Sequence, residues 1–279
     1  CDQTPYPDPC KCYFKNNNGF RLPTQLSEFR VMLVEAAMDR AISARDELTR
    51  SSRNYTDCQK QAVLTDCIGL YEDTVMQLTR TLQGLPPKTG ARKRCTDFDA
   101  QTWLSTALTN TETCRRGSSD FNVSDFITPI VSNTKISHLI TDCLAVNGAL
   151  LTTGNNRTTT AADRNGFPTW VSSKERRLLQ LQSVRAVQAN LVVAKDGSGQ
   201  FSTVQAAIDV AGRRKVTSGR FVIYVKRGIY QENINVRLNN DNIMLVGDGM
   251  RSTIITGGRS VKGGYTTYNS ATAGIEGLH

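Results

Sequence analysis

The sequence is poor in the features that build membrane spans, metal sites and nucleotide sites. Only two of its 279 residues are histidine, and no apolar run approaches the ~20 residues of a membrane-spanning helix. The Gly197-Ser198-Gly199 turn lacks the third glycine and the following Lys-Ser/Thr of a phosphate-binding loop. The sequence therefore predicts no cofactor, no metal and no membrane partner. No signal peptide is visible, and the Cys1-Asp2-Gln3 start is typical of a mature or trimmed N-terminus.

Residues 144–279 contain no cysteine. Cys10-Lys11-Cys12 is too tightly spaced for the usual zinc-binding loop, so disulfides in an oxidising compartment are the better interpretation. Three glycosylation acceptors, Asn54, Asn122 and Asn156, agree with secretion. The eight cysteines are Cys1, Cys10, Cys12, Cys58, Cys67, Cys95, Cys114 and Cys143.

A formal net charge of +9 predicts attraction to polyanions. No basic stripe interleaved with aromatic residues is present, and the cysteine pattern argues against the nucleus, so we expect no nucleic-acid partner. An acidic extracellular polysaccharide fits the same charge. A basic surface that is merely solvated remains the alternative.

Apolar residues recur at helical spacing over the first part of the chain. We predict irregular structure over residues 1–24, then helices from about Gln25, from about Thr56, from a cap at Asp97 or Asp99, and from Ser124 or Asp125. Four amphipathic helices with short connections predict an antiparallel four-helix bundle. The expected apolar stripes include Leu26, Phe29, Leu33, Ala37, Ala41, Ala44 and Leu48 in the first helix, and Cys67, Tyr71, Thr74, Leu78 and Leu82 in the second.

The pattern changes beyond the helices. We predict a first domain over residues 1–150, an interdomain linker over 151–189 and a second domain over 190–279. Short β-branched runs after Asn190, separated by Gly, Asn and Asp, predict strands, with one helix at Thr203 to Ala211. This spacing is typical of a parallel β-helix, a sandwich or a barrel, and the pattern alone does not choose among them.

The segment Cys1-Asp-Gln-Thr-Pro-Tyr-Pro-Asp-Pro-Cys10 resembles the N-terminal hairpin of the plant invertase and pectin methylesterase inhibitor family. Leu64-Thr-Asp-Cys67 and the run from Thr102 to Cys114 resemble helices of the same family, so the resemblance covers about residues 1–150. It implies disulfides Cys1–Cys10 and Cys67–Cys114, the second stabilising by ~3 kcal/mol. The pairing of Cys12, Cys58, Cys95 and Cys143 stays open.

The residues from Asn190 onward resemble the start of the catalytic domain of plant pectin methylesterases. Gly228-Ile-Tyr230-Gln-Glu232 is similar to that family's first signature, and Thr266 to Thr272 to its substrate-groove segment. The resemblance implies a right-handed parallel β-helix and makes Thr267 a substrate contact, while a polar strand edge remains the alternative for this segment. From the residues themselves we expect Glu232 to pair or cap, Tyr230 to pack, and Gly247-Asp248-Gly249 to form a turn.

Four linker residues, Arg176, Arg177, Leu178 and Leu179, resemble the dibasic site at which these plant precursors are processed. A dibasic pair in an exposed linker is a sensible protease target. The expected partner is therefore a subtilisin-like processing protease.

Pectin ester hydrolysis in this family uses two aspartates, a glutamine and an arginine, in segments of the type Gln-Asp-Thr, Asp-Phe-Ile-Phe-Gly and Leu-Gly-Arg-Pro-Trp. None of these strings occurs in the 279 residues, so we assign no catalytic residue and expect a chain truncated early in the catalytic domain and inactive as given. Whether the chain is an enzyme stays open. Residues 190–279, with few stacked coils, are expected to be marginally stable.

The resemblance leads to a functional hypothesis: a pectinesterase/pectinesterase inhibitor of the plant cell wall, secreted to the apoplast, with pectin (homogalacturonan) as its polymer. The alternative is a stand-alone inhibitor, whose helices bind the catalytic domain of a pectin methylesterase in cis or in trans, or, with less support, an invertase.

Overall fold

The computed structural model describes residues 1–16, 23–53, 57–85, 95–133, 135–154, 188–214, 220–237, 240 and 242–276. The chain forms two compact units. Unit 1 comprises Cys1–Asn156 and Ser260–Tyr268, and unit 2 comprises Arg157–Arg259 and Asn269–His279. The domain boundaries expected from the sequence remain predictions.

Unit 1 is helical. Its longest helices follow one another around a shared core, since α3 packs on α2 and α4, and α6 packs on the same two helices. Its helices are α1 (Pro7–Asn16), α2 (Leu26–Ser52), α3 (Cys58–Gly84), α4 (Asp97–Asp120), α5 (Ser124–Asn133) and α6 (Ile136–Gly154), and a 3-10 turn spans Val261–Gly263.

The core of unit 1 is built from the apolar stripes of these helices. The α3 stripe is largely as expected, with Cys67, Tyr71, Thr74 and Leu78 buried. On α2 the stripe from Leu33 to Leu48 is buried, but the predicted Leu26 is 41% exposed, because it is the first residue of the helix. Small residues on α2 allow close packing of its neighbours: Ala36, Ala37, Ala41 and Ala44 are fully buried.

Three sequence expectations for the helices are wrong in detail. The N-terminal segment is not wholly irregular, because α1 begins at Pro7, where proline suits a first helical position. The predicted fourth helix is two helices, α5 and α6, and Lys135 between them has a left-handed φ of 47°. Helix α4 is capped by Thr96 rather than by Asp97 or Asp99.

In its described residues, unit 2 contains short parallel strands and the nine-residue helix α7 (Val204–Gly212). The strands form a three-stranded sheet β1-β2-β5 and two two-stranded sheets, β3-β6 and β4-β7, in which every pairing is parallel. From β2 onward, successive strands enter different sheets, and this arrangement fits the start of a parallel β-helix. The strands are β1 (Leu191–Val193), β2 (Phe221–Val225), β3 (Gly228–Gln231), β4 (Ile234–Val236), β5 (Ile243–Gly247), β6 (Thr253–Thr256) and β7 (Ala273–Ile275).

Helix α7 supplies a face of the unit 2 core. Val204, Ala207, Ile208 and Ala211 are buried at helical spacing and pack with apolar strand residues. Thr203 caps the helix by accepting a hydrogen bond from the amide of Ala206, and the predicted helix at Thr203 to Ala211 is confirmed to within one residue.

Candidate functional site

Thr267, the residue expected to contact substrate, begins a short helix, α8 (Thr267–Ser270). Its hydroxyl donates a hydrogen bond to the carboxylate of Asp120, the last residue of α4. The preceding Thr266 is buried and donates to the carboxylate of Asp66 on α3. All four residues belong to unit 1. For the Thr267 hydroxyl to donate a hydrogen bond to a sugar, it therefore has to give up its hydrogen bond to the Asp120 carboxylate.

Glu232, the acidic residue of the Gly-x-Tyr-x-Glu signature, stabilises the start of α7. Its two carboxylate oxygens accept the backbone N–H groups of Val204 and Gln205 at 2.9 and 3.0 Å. These N–H groups belong to the first turn, which has no partner inside a helix. The negative charge at the positive end of the helix dipole adds to the effect. The expectation that Glu232 caps within this region is confirmed.

Asp248 holds a turn together. Its carboxylate accepts the hydroxyl of Tyr224 and, at 2.6 Å, the backbone N–H of Arg227 in the neighbouring coil. The backbone N–H of Asp248 in turn donates to the hydroxyl of Thr253 at 2.9 Å. The carboxylate oxygens of Glu232 and Asp248 thus accept hydrogen bonds that stabilise the fold. This geometry assigns neither residue the role of a nucleophile or a base.

Tyr230, at the centre of the same signature, is fully buried. Its hydroxyl donates to the backbone carbonyl of Lys226 at 2.9 Å, and burial raises the pKa of the phenol above its ordinary value. The ammonium of Lys195 lies 5.2 Å from the ring centroid. The packed tyrosine expected from the sequence is therefore present.

Both disulfides implied by the resemblance are present in unit 1. Cys1–Cys10 ties the N-terminus to α1, and Cys67–Cys114 joins α3 to α4 with the two Cα atoms 4.9 Å apart. Cys12, Cys58, Cys95 and Cys143 form no disulfide within the described part of the chain. Cys143 is fully buried, and burial raises the pKa of its thiol, so its thiolate is disfavoured.

The predicted modification sites divide between described and undescribed residues. Asn122 is exposed just after α4, in a left-handed conformation with φ of 53°. An exposed turn is the setting that glycosylation requires. Asn54, Asn156 and the processing residues Arg176, Arg177, Leu178 and Leu179 lie outside the described residues.

Two buried polar clusters in unit 1 were not anticipated from the sequence. Arg30, 3% exposed, donates to Asp97 at 2.8 Å and to Asn147 at 2.7 Å, and so links α2, α4 and α6. The only sequence signal is a charge on an otherwise apolar stripe of α2, four residues before Val34.

In the second cluster, Asp73 on α3 accepts hydrogen bonds from Gln77 at 3.0 Å and from Asn110 of α4 at 2.6 Å. All three side chains are at least nine-tenths buried. Each cluster joins side chains on different helices, so helical periodicity alone does not reveal them.

No described helix combines the length and apolarity that crossing a bilayer requires. Among the described residues, no group of three or more His, Cys, Asp or Glu side chains is placed to hold a metal ion.

Comparison with known proteins gives two separate matches, one to the N-terminal part of the chain and one to the C-terminal part. The family model described as "Plant invertase/pectin methylesterase inhibitor" matches residues 1–146, and the model described as "Pectinesterase" matches residues 190–279. Among curated relatives, "Probable pectinesterase/pectinesterase inhibitor 59" of Arabidopsis thaliana is 83% identical over 279 residues, which is 100% of this chain and 51% of that protein.

Two solved structures are also similar. A pectin methylesterase from carrot is 45% identical over 33% of this chain and 29% of its own, with a TM-score of 0.30. A mutant pectin methylesterase inhibitor from Arabidopsis is 17% identical over 53% of this chain and 92% of its own, with a TM-score of 0.41.

The chain spans about half the length of the curated relatives that it matches. The inhibitor model alone covers more than half of the 279 residues. The chain therefore belongs to the plant invertase/pectin methylesterase inhibitor family, and its residues 190–279 carry a pectinesterase segment.

Proposed function

We propose that this chain is part of a secreted pectinesterase/pectinesterase inhibitor protein of the plant cell wall, which acts on the methyl esters of homogalacturonan. The observation that carries the proposal is the order of the two matches, with an inhibitor region at residues 1–146 followed by a pectinesterase region at 190–279. The finer architecture that we infer is an antiparallel four-helix bundle followed by the start of a right-handed parallel β-helix.

Ester hydrolysis belongs to the longer protein in this proposal. The 279 residues contain none of the aspartate, glutamine and arginine strings of the family mechanism, and Glu232 and Asp248 are bound to backbone N–H groups. We expect the chain alone to release no methanol from methyl-esterified pectin, while an extended protein with those strings releases it. Methanol release by the 279-residue chain above a buffer control would contradict this assignment.

The second candidate function is inhibition by the helical unit. The family match over residues 1–146 supports it, as do the disulfide Cys67–Cys114 and the buried Arg30 cluster, which hold the helices in a fixed arrangement. A rigid helical surface binds a partner with little loss of conformational entropy. The expected partner is the catalytic domain of a pectin methylesterase, in cis or in trans.

Titration of the intact chain separates the inhibitor hypotheses. Increasing amounts of the chain are added to a plant pectin methylesterase and, in a parallel series, to a plant acid invertase. Saturable loss of esterase activity with unchanged invertase activity supports the proposal. Loss of invertase activity alone would overturn it, and loss of neither would restrict the helical unit to a role within the longer protein.

Processing and secretion are proposals of the same kind. We expect cleavage after the Arg176-Arg177 pair by a subtilisin-like protease during secretion to the apoplast, with glycans at Asn54, Asn122 and Asn156. N-terminal sequencing of the apoplastic product in plant cells tests the cleavage, and Arg176→Gln/Arg177→Gln is the matched variant. A product that begins at Leu178 in the parent and is lost in the variant is the expected result.

A further inference from the structure

Three turns of unit 2 lie one above another at one corner of the strand stack. Val193, Val225 and Gly247 are register partners at the ends of β1, β2 and β5. Neighbouring strands are about 4.8 Å apart. The segments that follow these strands, residues 194–198, 226–228 and 248–252, are therefore stacked at this spacing.

Hydrogen bonds between the turns fix this stack. The ammonium of Lys226 donates to the hydroxyl of Ser198 at 2.7 Å, which ties the second turn to the first. The backbone N–H of Arg227 donates to the carboxylate of Asp248 at 2.6 Å, which ties the second turn to the third. The relative positions of the three turns at this corner are thus fixed by hydrogen bonds.

Four basic residues occupy this corner: Lys195, Lys226, Arg227 and Arg251. Lys195, Arg227 and Arg251 are exposed, and Lys226 is half-buried. We call these four residues the basic corner. At least one cation comes from each of the three stacked turns, so positive charge repeats along the stacking direction.

The acidic residues of the same turns offset this charge only in part. Asp196 accepts two hydrogen bonds from Ser198, and Asp248 accepts from Tyr224 and Arg227. Within the described part of the chain, the guanidinium groups of Arg227 and Arg251 form no ion pair and no side-chain hydrogen bond. They are therefore placed to bind an external anion.

We propose that the basic corner binds a linear acidic polysaccharide that carries a carboxylate on successive sugars. Charge repeated along one direction matches a polymer with charge repeated along its backbone. Guanidinium groups pair with carboxylates through two parallel hydrogen bonds. The side chain of Met250, 96% exposed in the third turn, offers an apolar surface to the C–H face of a sugar ring.

The three turns fit a polysaccharide better than a nucleic acid. Single-stranded nucleic acids bind to basic grooves that also present aromatic rings for base stacking. The turn segments 194–198, 226–228 and 248–252 contain no aromatic residue. Nucleic-acid binding is accordingly an outcome that the experiment has to distinguish.

The proposed site discriminates between ester and acid. A methyl-esterified galacturonan is neutral, whereas its hydrolysed form carries the carboxylates that the basic corner pairs with. Naming pectin as the polymer rests on the proposed function. In that function, unit 2 would bind the de-esterified product more tightly than the methyl ester.

The test measures binding of the intact 279-residue chain to polygalacturonate and to highly methyl-esterified pectin of matched length, at low and physiological salt. Arg227→Gln/Arg251→Gln removes two exposed charges from the basic corner. Arg213→Gln/Arg237→Gln is the matched control, because both residues are exposed in unit 2 and lie outside the three turns. Arg227→Lys/Arg251→Lys retains the charge, and circular dichroism verifies the fold of each variant.

The parent chain is expected to prefer polygalacturonate, with an affinity that falls as salt rises. The glutamine double variant at the corner is expected to bind about tenfold more weakly at low salt, since exposed ionic contacts each contribute a few-fold. The control variant should lose less than about twofold. The lysine variant should bind more tightly than the glutamine variant but more weakly than the parent, because lysine keeps the charge without the two parallel hydrogen bonds of a guanidinium group.

Three results would overturn the proposal. Equal losses in the corner and control variants would show that net charge alone attracts the polymer. Equal affinity for the ester and the acid would remove the carboxylate requirement. Tighter binding to single-stranded DNA than to polygalacturonate, lost in the corner variant, would reassign the surface to nucleic acid. None of these results bears on the methanol-release or inhibition assays, so failure here is distinguishable from failure of the proposed function.

Discussion

Arg30 carries its charge into the interior of unit 1, where only precise pairing makes it tolerable. Its guanidinium donates to the Asp97 carboxylate and to the Asn147 amide oxygen. Asn147 completes the cluster by donating to the backbone carbonyl of Asp97 and to Gln101, each at 2.8 Å. Burying a charge costs free energy unless it is paired and hydrogen-bonded, so the cluster favours one arrangement of α2, α4 and α6 over others.

We predict that Asp97→Asn lowers the free energy of unfolding of unit 1 by about 2 kcal/mol, because it leaves the buried Arg30 cation without its counter-ion. Urea unfolding followed by far-ultraviolet circular dichroism measures the change. The control is Asp46→Asn, which breaks the exposed Arg45–Asp46 pair and should cost less than about 0.5 kcal/mol. Adding Arg30→Met to Asp97→Asn should recover part of the loss, and equal effects of Asp97→Asn and Asp46→Asn would refute this account.

Asp142 on α6 is a second buried charge, placed where the N-terminal segment meets the helices. The side chain is fully buried and accepts the backbone N–H of Tyr6 at 2.8 Å, while the ring of Tyr6 stacks on His138 with centroids 4.1 Å apart. Burial is the largest influence and raises the pKa of Asp142 above its ordinary value of 3.8. The Tyr6 N–H, the Thr4 side chain, the His138 ring and the N-terminal amine oppose it.

The raised pKa has a definite consequence for stability. The folded chain binds this proton more tightly than the unfolded chain, so the contribution of Asp142 to stability is greatest in acid and is lost as the pH rises above 3.8 through the folded pKa. We predict that Asp142→Asn, which keeps the acceptor for Tyr6, gains stability relative to the parent as pH rises from 4 to 7, while the two converge in acid.

Thermal unfolding at a series of pH values measures the Asp142→Asn effect. Glu72→Gln, at an exposed position of α3, is the control and should show no such divergence. A constant difference between Asp142→Asn and the parent at all pH values would contradict the predicted linkage.

At the scale of secondary-structure elements, the periodicity of apolar residues predicts the location of helices better than it predicts their ends. The α3 and α7 positions follow from periodicity, but α4 is capped by Thr96, whose hydroxyl accepts the Asp99 N–H while Asp99 accepts the Thr96 N–H. Asp97, Asp99 and Thr96 are all competent caps, and only the entry direction of the backbone selects among them. Similarly, the local sequence carries Pro129 but does not reveal that the chain turns at Lys135.

Glu232, the last residue of a short sequence motif, caps the start of helix α7. Its position in Gly228-x-Tyr230-x-Glu232 suggests a carboxylate with a structural role, yet its partners Val204 and Gln205 lie 28 and 27 residues earlier. No local pattern contains that information. The motif therefore predicts the residue's importance, and only the packing of α7 against the strands reveals what it holds.

We predict that Glu232→Ala destabilises α7 by about 1–2 kcal/mol, since two backbone N–H groups lose their acceptors. Hydrogen exchange of the Val204 and Gln205 amides should accelerate by about tenfold, whereas amides of α3 should keep their rates. Gln231→Ala, at the exposed neighbouring position, is the control and should leave both amides protected. Unchanged exchange in Glu232→Ala would exclude the capping role.

At the scale of the whole chain, composition alone separates the two units. The cysteines stop at Cys143, helical periodicity dominates before residue 150, and β-branched runs dominate after residue 190. These signals predict two differently built regions and, with the resemblances, their families. They do not predict that Ser260–Tyr268 joins unit 1, because that depends on the contacts of Thr266 and Thr267 with Asp66 and Asp120.

The two units also differ in what stabilises them. Unit 1 has four long helices around a continuous core and the disulfide Cys67–Cys114 between α3 and α4. Unit 2 has strands of three to five residues, and β5, β6 and β7 each pair on one side only among the described strands. Stacked coils stabilise mainly through their neighbours, so unit 2 should open more easily than unit 1.

We therefore predict that limited digestion with chymotrypsin cleaves residues 190–259 of unit 2 faster than residues 1–150 of unit 1, because local opening exposes the strands to the protease while the cross-linked helices stay folded. Mass spectrometry of the fragments over time measures the two rates. Cys67→Ser/Cys114→Ser removes a cross-link across 47 residues, which contributes about 3–4 kcal/mol, and should bring the two rates together by sensitising unit 1. If both regions resist digestion equally in the parent chain, the short strands are as stable as the helices, and the argument from missing neighbours fails.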